Sequence, residues 1–269
     1  MTVRVPKKVA TRFTKDVGRF QRVLRQAKDR DVNESDTVTI ITDMLANVFG
    51  FDKYTDITSE QAIRGTYCDL AIKLDDAIKF LIEVKAVGLT LKENHLRQAV
   101  AYGANEGIQW VVLTNGIEWE IYKIKFERPI SYDLVCSFSF LELNPRKAED
   151  QQTLFLLCKE GLGKAVIEEF HEHVRCVNRF MISSLMLTEP VLNVIRRELR
   201  RVSPAVKVDN QEIAEIIRDE VLKRDVLEGE AAEEAQRRVK KAPRKKQRKA
   251  SPAPAPAPAA TEPELVTSD

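Results

Sequence analysis

Residues 67–85 read YCDLAIKLDDAIKFLIEVK, and this stretch decides the fold. Apolar and polar side chains alternate in residues 67–74 and again in residues 78–85, which is the period of a strand with one buried face. The apolar faces match in one register only, so we predict a hairpin with the three-residue loop Asp75 to Ala77. The apolar pairs of this register are Cys68–Val84, Leu70–Ile82, Ile72–Phe80 and Leu74–Ile78.

On the other face, the same register places Asp69 opposite Glu83 and Lys85 beside them. Two carboxylates that face each other across a strand pair repel, and a divalent cation held by oxygen ligands would relieve the repulsion. We therefore expect a metal site with an ammonium next to it. The competing interpretation is a solvated hairpin with ordinary surface charges, because the same register sets Lys73 opposite Lys79.

The pattern Asp69 … Glu83-Val84-Lys85 resembles the PD-(D/E)xK nuclease superfamily. The flanking sequence narrows the resemblance, over about residues 30–145, to the N-terminal nuclease domain of the type I restriction enzyme R subunit. That family often has proline immediately before the aspartate, where this chain has Cys68. The ordered set that carries the narrower resemblance is Glu34, Asp69, Glu83, Lys85, Gln98, Tyr102 and the segment VVLTNG at residues 111–116.

The resemblance implies an endonuclease that hydrolyses DNA phosphodiester bonds with Mg²⁺, for which Mn²⁺ would substitute. Asp69, Glu83 and the main-chain carbonyl of Val84 would hold one or two ions. Lys85 would orient the attacking water or stabilise the developing negative charge, and we expect it to stay protonated beside two carboxylates.

Three further side chains enter through the resemblance or lie near it. Glu34 would complete the metal shell, although a carboxylate in the first turn of a helix also suits the helix dipole. Gln98 and Tyr102, four residues apart on one helix face, would position the nucleic acid or the nucleophile; the alternative is the polar edge of an amphipathic helix. A lone histidine such as His95 is more often a packing or surface residue.

The order of predicted elements indicates an α/β fold with a restriction-endonuclease-like core, a mixed β-sheet flanked by helices. The first predicted helix has an apolar stripe at steps of three and four: Val9, Phe13, Val17, Phe20, Leu24 and Ala27. A second helix is predicted after the N-cap Asn33 and ends at Gly50, and a third spans about residues 92–106. We predict strands at 110–114, 118–124 and 134–140, joined in part by the Asn115-Gly116 turn. After residue 147 only helices are indicated, at about residues 149–160, 164–187, 189–202, 209–226 and 228–240. The predicted domains are a basic amphipathic helix (1–30), the nuclease-like domain (31–147), a helical region (148–241) and a disordered basic, Pro-Ala-rich tail (242–269).

Charge is distributed unevenly along the chain. Residues 1–30 hold ten Lys or Arg against two Asp, and residues 237–249 hold nine basic residues and no acid, whereas residues 31–236 hold 24 basic and 36 acidic residues. Basic ends on an acidic body are typical of a nucleic-acid binder, because the ends can neutralise phosphates. The alternative is that both basic segments are only solvated surface.

Several other classes of site and location are disfavoured. His171, His173 and Cys176 have an imperfect spacing for zinc, and the segment GLGK at 161–164 lacks the GxxxxGK[ST] pattern of a phosphate loop, so no helicase motor is expected. No apolar stretch approaches the ~20 residues of a membrane span and no signal core is visible, so we expect a cytoplasmic protein with no membrane partner. Four cysteines outside CxxC pairs are expected as reduced, buried thiols.

Two other functions stay open beside the nuclease. One is a nucleic-acid-binding module of the same fold that has lost turnover, and the other is a helical protein that recruits partners. DNA is the expected partner; a homodimer and partner subunits of a restriction system are the candidate protein partners.

Overall fold

Six strands form one sheet whose order follows the sequence, from β1 to β6. All neighbouring strands are antiparallel except β3 and β4, which run parallel. The computed structural model describes residues 3–63 and 66–242; for residues 60–63, 66 and 67 only the backbone is described. The strands are β1 Ile57–Ile63, β2 Thr66–Leu74, β3 Ala77–Val84, β4 Trp110–Thr114, β5 Glu118–Lys125 and β6 Ser131–Ser139.

Three helices cover this sheet. They are α1 (Lys7–Asp29), α2 (Glu34–Asn47) and α3 (Glu93–Glu106), the last of which connects the parallel strands β3 and β4. The mixed sheet with flanking helices confirms the predicted fold class. The predicted disordered tail falls, from residue 243 on, outside the described residues.

Both faces of the sheet are buried, so the strands are not half-buried as predicted. Residues such as Leu70 and Ile82 pack with α1 and α2 on one face. Ala71 and Leu81, one position away along each strand, pack with α3 on the other face. Cys68 departs from the predicted alternation, because it packs on the α3 face and not beside Leu70.

The β2–β3 hairpin keeps the predicted register near the candidate site but not at its tip. Leu70 pairs with Ile82, and then the register shifts after Ile72, so that Leu74 pairs with Ala77. The predicted three-residue loop was therefore wrong. The actual loop is Asp75-Asp76, and both residues have positive φ (52° and 61°). Aspartate tolerates this region, and such two-residue turns match the twist of a hairpin.

The shift also removes the predicted Lys73–Lys79 pair, since Lys73 stands opposite Ile78. Lys73 instead forms an ion pair with Asp76 at 3.2 Å. The like-charge pair that supported an ordinary solvated hairpin is thus absent from the described ladder.

Strand β1 was not predicted. It pairs antiparallel with β2 through contacts such as Ile57 with Ile72. Its sequence, ITSEQAI, has apolar residues mainly at its two ends and no clear alternation. The strand therefore gave no periodic signal.

Helix α1 is an integral part of the core. Its buried apolar side chains contact the cluster that contains Trp119 and Phe140. Arg12 donates to Glu160 at 2.8 Å and so joins α1 to the later helices. The six apolar positions predicted for its buried stripe are all buried: Val9, Phe13, Val17, Phe20, Leu24 and Ala27.

The described residues form two compact units, which divide after residue 178. The first unit contains α4 (Ala148–Phe155), α5 (Lys159–Leu162) and α6 (Val166–Cys176); the second contains α7 (Arg179–Met186), α8 (Glu189–Val202), α9 (Asn210–Ile216) and α10 (Glu230–Lys241). The compact units therefore divide at residue 178 and not at residue 147. As limits between functional domains, the predicted limits stay predictions.

Three predicted helices need correction. The helix predicted at 209–226 is α-helical only to Ile216 and is followed by a short π-helix, Ile217–Val221. The helix predicted at 164–187 is two helices, α6 and α7, and the side chain of Asn178 donates to the carbonyls of Val174 and Arg175 at the end of α6. The helix predicted at 149–160 already ends at Phe155.

Thiol burial was predicted correctly for only part of the set. Cys68 and Cys158 are buried, and burial raises the pKa of each thiol to about 12. Cys136 is half-buried and Cys176 is exposed, so the prediction of four buried thiols was wrong for Cys176. In the part of the chain that the structure describes, no helix combines the length and apolar character needed to cross a membrane.

Candidate active site

The open end of the β2–β3 pair gathers the central residues of the predicted site. One residue beyond the Leu70–Ile82 pair, the carboxylate of Asp69 accepts from the backbone N–H of Val84 at 2.7 Å. The Lys85 ammonium lies 2.8 Å from Glu83 and donates to the carbonyl of Val84 at 2.9 Å. The structure therefore brings Asp69, Glu83 and Lys85 together, while direct pairing of Asp69 with Glu83 stays a prediction.

Burial makes the charge on Glu83 costly. Its side chain is only 8% exposed. Desolvation raises the pKa of Glu83, and the nearby charges of Asp69 and Glu34 raise it further, although the hydrogen bond from Lys85 opposes the shift. Burial and the neighbouring carboxylates thus disfavour the charged form of Glu83, and a cation beside it would favour that form.

For Lys85, the neighbouring carboxylates outweigh the effect of burial on the pKa. Burial alone would lower the pKa of its ammonium, but the hydrogen bond and charge of Glu83 and the charges of Glu34 and Asp69 together raise it. Lys85 is thus held in its charged form, as predicted from the sequence, and is not suited to act as a free base.

Glu34 reaches the same cluster from α2. The predicted N-cap Asn33 accepts from the N–H of Asp36 at 2.9 Å, which starts the helix and puts Glu34 in its first turn. From there Glu34 lies 3.4 Å from the Lys85 ammonium, with about half of its side chain exposed to solvent. Its role as a metal ligand stays a prediction, because the contact that the structure gives it is to Lys85.

Two residues that we did not predict fix the segment that follows Lys85. The hydroxyl of buried Thr37 donates to the carbonyl of Asn33 at 2.8 Å and accepts from the N–H of Val87 at 3.2 Å. The side chain of buried Asn115 donates to the carbonyl of Leu89 at 2.8 Å. Asn115 was identified only as a turn residue, and a single threonine inside a helix gives no signal in a sequence.

The part of the chain that contains strands β1–β5 and helix α3 is similar to a known protein family. Residues 41–133 match the family Type I restriction enzyme R protein N terminus (HSDR_N). The match spans 93 of the 269 residues and confirms the resemblance drawn from the sequence. Neither the curated proteins nor the solved structures provided a match.

The R protein N-terminal match includes five residues whose side chains are predicted for the site, as well as Val84 with its carbonyl, and it excludes Glu34. It also excludes α1 and everything after β6 begins, so the match itself says nothing about the basic helix or the later helices. Residues 41–133 are thus similar to the N-terminal part of a type I restriction enzyme R protein. The five residues are Asp69, Glu83, Lys85, Gln98 and Tyr102.

Helix α3 lies on the same face of the sheet as Glu83. Leu81 packs against α3, and Glu83, two residues further along β3, shares that face because strand side chains alternate. Gln98 is exposed, and Tyr102 is buried with a hydroxyl that has no hydrogen-bond partner among the described residues. Helix α3 therefore lies on the side of the sheet that carries Glu83, while contact of Gln98 or Tyr102 with Glu83 or Lys85 stays a prediction. His95 accepts from the backbone N–H of Lys92 and helps to begin α3, as expected of a packing residue.

The oxygen atoms at the strand end suit a hard divalent cation. Asp69, Glu83 and the Val84 carbonyl are all oxygen donors, and burial, together with the charges of Asp69 and Glu34, raises the pKa of Glu83. Among the described residues no group of three or more carboxylate, His or Cys side chains surrounds a common metal position. Two carboxylates and a carbonyl form a smaller set, and it fits Mg²⁺ by the chemistry of its atoms.

The candidate zinc ligands on α6 do not assemble. His171 is buried, its ring packs edge-on to Trp110, and its Nδ1 lies 3.4 Å from the Lys123 ammonium. Burial lowers the pKa of His171, and the neighbouring charge of Lys123 lowers it further. Cys176 is exposed, and among the described residues these three side chains are not grouped around a common metal position.

Proposed function

We propose that this protein is a Mg²⁺-dependent endonuclease that hydrolyses phosphodiester bonds of DNA in restriction or a related defence process. The observation that carries the proposal is the Lys85 ammonium, 2.8 Å from buried Glu83 at the strand end where Asp69 also lies. The R protein N-terminal match over the same strands supports the nuclease class.

The proposed roles follow from the atoms at the strand end. Asp69, Glu83 and the Val84 carbonyl would hold Mg²⁺. The bound ion would lower the pKa of a coordinated water and stabilise charge on the scissile phosphate. Lys85, charged and fixed by Glu83 and the Val84 carbonyl, would stabilise the additional negative charge that develops on the phosphate oxygens.

Helix α3 would supply the polar contacts beside the reacting phosphate. Exposed Gln98 can donate to or accept from a nucleotide without moving the helix. The hydroxyl of Tyr102 has no hydrogen-bond partner among the described residues, so it could bond to the nucleophile or the phosphate.

A supercoiled-plasmid nicking assay tests the proposal. With Mg²⁺ or Mn²⁺ we expect conversion to the nicked or linear form, and no conversion in EDTA. Asp69→Ala should lose at least about 100-fold in rate, since it removes an electrostatic element of the site. If neither ion supports cleavage, or if Asp69→Ala cuts as the wild type does, the proposal fails.

One observation favours a second candidate, a binding module that has lost turnover. The Lys85 ammonium already contacts Glu83 and the Val84 carbonyl, which are two of the three proposed metal ligands. On that reading Mg²⁺ would not bind, and DNA binding would be the same with and without it. Isothermal titration of the protein with Mg²⁺ separates the two, because only the enzyme requires binding that Asp69→Ala abolishes.

A further inference from the structure

The solvent face of α1 carries a continuous row of positive charge. Lys8, Lys15, Arg19 and Arg22, here called the α1 ridge, are all exposed. At ~100° per residue they fall within a sector of about 60° on the helix. That sector lies opposite the buried stripe of Val9, Phe13, Val17, Phe20, Leu24 and Ala27.

Within the part of the chain that the structure describes, the charges of the α1 ridge are not neutralised by ion pairs. In residues 3–63 and 66–242 no member of the ridge forms an ion pair. Arg19 stacks over the ring of Phe20. The charge of Lys8 makes only a minor contribution to the lowered pKa of Glu160. Arg12, by contrast, lies off the ridge and is bound to Glu160 and to the carbonyl of Val48. The structure thus separates one arginine that holds the fold together from a row that faces solvent.

The ridge is presented on a fixed support. The apolar stripe of α1 is in the core, and Gln21 donates to the carbonyls of Phe140 and Leu143. A basic helix that binds a membrane surface needs its apolar face free to enter the lipid, and here that face is already buried. The surface that remains is positive, rigid and polar, which fits a polyanion whose charges repeat.

We propose that the α1 ridge is a docking surface for the phosphate backbone of duplex DNA, separate from the Glu83–Lys85 site. From Lys8 to Arg22 the helix rises by ~21 Å, on the order of six phosphate spacings along one strand. Binding there is independent of sequence, because lysine and arginine contacts to phosphate carry no base information. The choice of DNA as the polyanion rests on the proposed function.

Three substitutions test this inference in the full chain. Lys15→Gln, Arg19→Gln and Arg22→Gln combined keep good helix formers at exposed positions. The matched control combines Arg197→Gln, Arg200→Gln and Arg201→Gln on α8, which are also exposed and remove the same charge. Binding of a fluorescent 30-base-pair duplex is measured by anisotropy in EDTA over a range of salt, with circular dichroism to verify folding.

The ridge variant should bind at least about tenfold more weakly than wild type at low salt. Its slope of log K against log salt should be shallower by up to about 3, since each lost phosphate contact removes ~0.9. The α8 control should stay close to wild type. An unchanged slope in the ridge variant, or an equal loss in both variants, overturns the inference.

Other occupants of the ridge give different results. If the wild type self-associates at low salt by light scattering, and the ridge variant is monomeric with normal DNA binding, then the ridge is a contact between copies and the inference fails. Preference for an RNA duplex in competition would overturn the assignment to DNA. Parallel nicking assays keep the two proposals apart: ridge-dependent binding without any cleavage rejects the nuclease only, whereas cleavage with normal binding by the ridge variant rejects the ridge only.

Discussion

At the scale of single residues, the site depends on how charge is balanced around Glu83. The sequence was sufficient to predict that Asp69, Glu83 and Lys85 meet, because alternation on two strands and one acceptable register define their positions. It could not predict Thr37 or the second role of Asn115. Their hydrogen bonds depend on where α2 and the β4–β5 turn lie in space, and no periodic pattern records that.

The carboxyl of Glu83 should titrate above the ordinary glutamate range, since burial is the main cause that raises its pKa. The folded chain then binds this proton more tightly than the unfolded chain, so the free energy of unfolding falls as pH rises from the ordinary carboxyl pKa through the raised one. NMR titration of Glu83 measures the shift, and Mg²⁺ should lower the midpoint. In Asp69→Asn the same Mg²⁺ concentration should leave the midpoint unmoved; a full response there contradicts a shared site.

Lys85→Ala should abolish plasmid cleavage while sparing DNA affinity. The ammonium contacts Glu83, Glu34 and the Val84 carbonyl within the site, so it is placed to act on charge that develops during the reaction. We expect a loss of 100-fold or more in rate and less than a threefold change in the dissociation constant. A parallel loss of binding would mean that Lys85 is only a phosphate contact.

Thr37→Val should impair the site, and Thr37→Ser should not. Valine has a similar shape but leaves the N–H of Val87 without its acceptor, at a cost of about 1–3 kcal/mol, whereas serine keeps the hydroxyl. Thermal unfolding measures the stability, and the nicking rate at a temperature where both variants are folded measures the positioning of Lys85. Equal rates for valine and serine would remove Thr37 from the account of the site.

At the scale of elements, periodic segments were predictable and irregular ones were not. Helix α1 was found from apolar residues at steps of three and four, and each of its predicted core positions is buried. Strand β1 and the two-residue tip at Asp75-Asp76 were missed. Strand β1 lacks alternation. The two-residue tip depends on a shift of register, which two aspartates permit but which their presence in the sequence does not predict.

The turn after β4 offers a sharp test of backbone and packing together. Gly116 has a φ of +85°, and an added Cβ would lie 2.8 Å from a methyl group of Leu24 on α1. Gly107 also has positive φ (+72°) but has open space around it. Gly107→Ala should therefore cost about 1 kcal/mol from the backbone alone, and Gly116→Ala about 2–3 kcal/mol. Chemical denaturation compares the two, and equal costs would show that α1 yields readily at Leu24.

At the scale of the whole molecule, α1 belongs to the folding unit of the sheet although it lies outside the R protein N-terminal match. Six apolar side chains of α1 are almost fully buried. At ~1.5–3 kcal/mol each, their burial is comparable to the ~5–15 kcal/mol that stabilises an ordinary domain.

A fragment of residues 31–178 should therefore fail to fold, and one of residues 1–178 should unfold cooperatively. Circular dichroism and thermal melting of the two fragments test this, and a stable 31–178 fragment would contradict it. An added peptide of residues 1–30 should restore structure to the shorter fragment, because it supplies the apolar side chains of α1 that the fragment lacks.

The contacts of α1 with residues far along the chain have a consequence during translation. Its apolar stripe is synthesised before Trp119, Phe140 and Glu160, which follow after roughly another hundred residues, on the order of 5–20 s later at ordinary elongation rates. During that interval the nascent chain exposes the apolar stripe beside the α1 ridge. Completion of the nascent fold must therefore await synthesis of Glu160, the partner of Arg12.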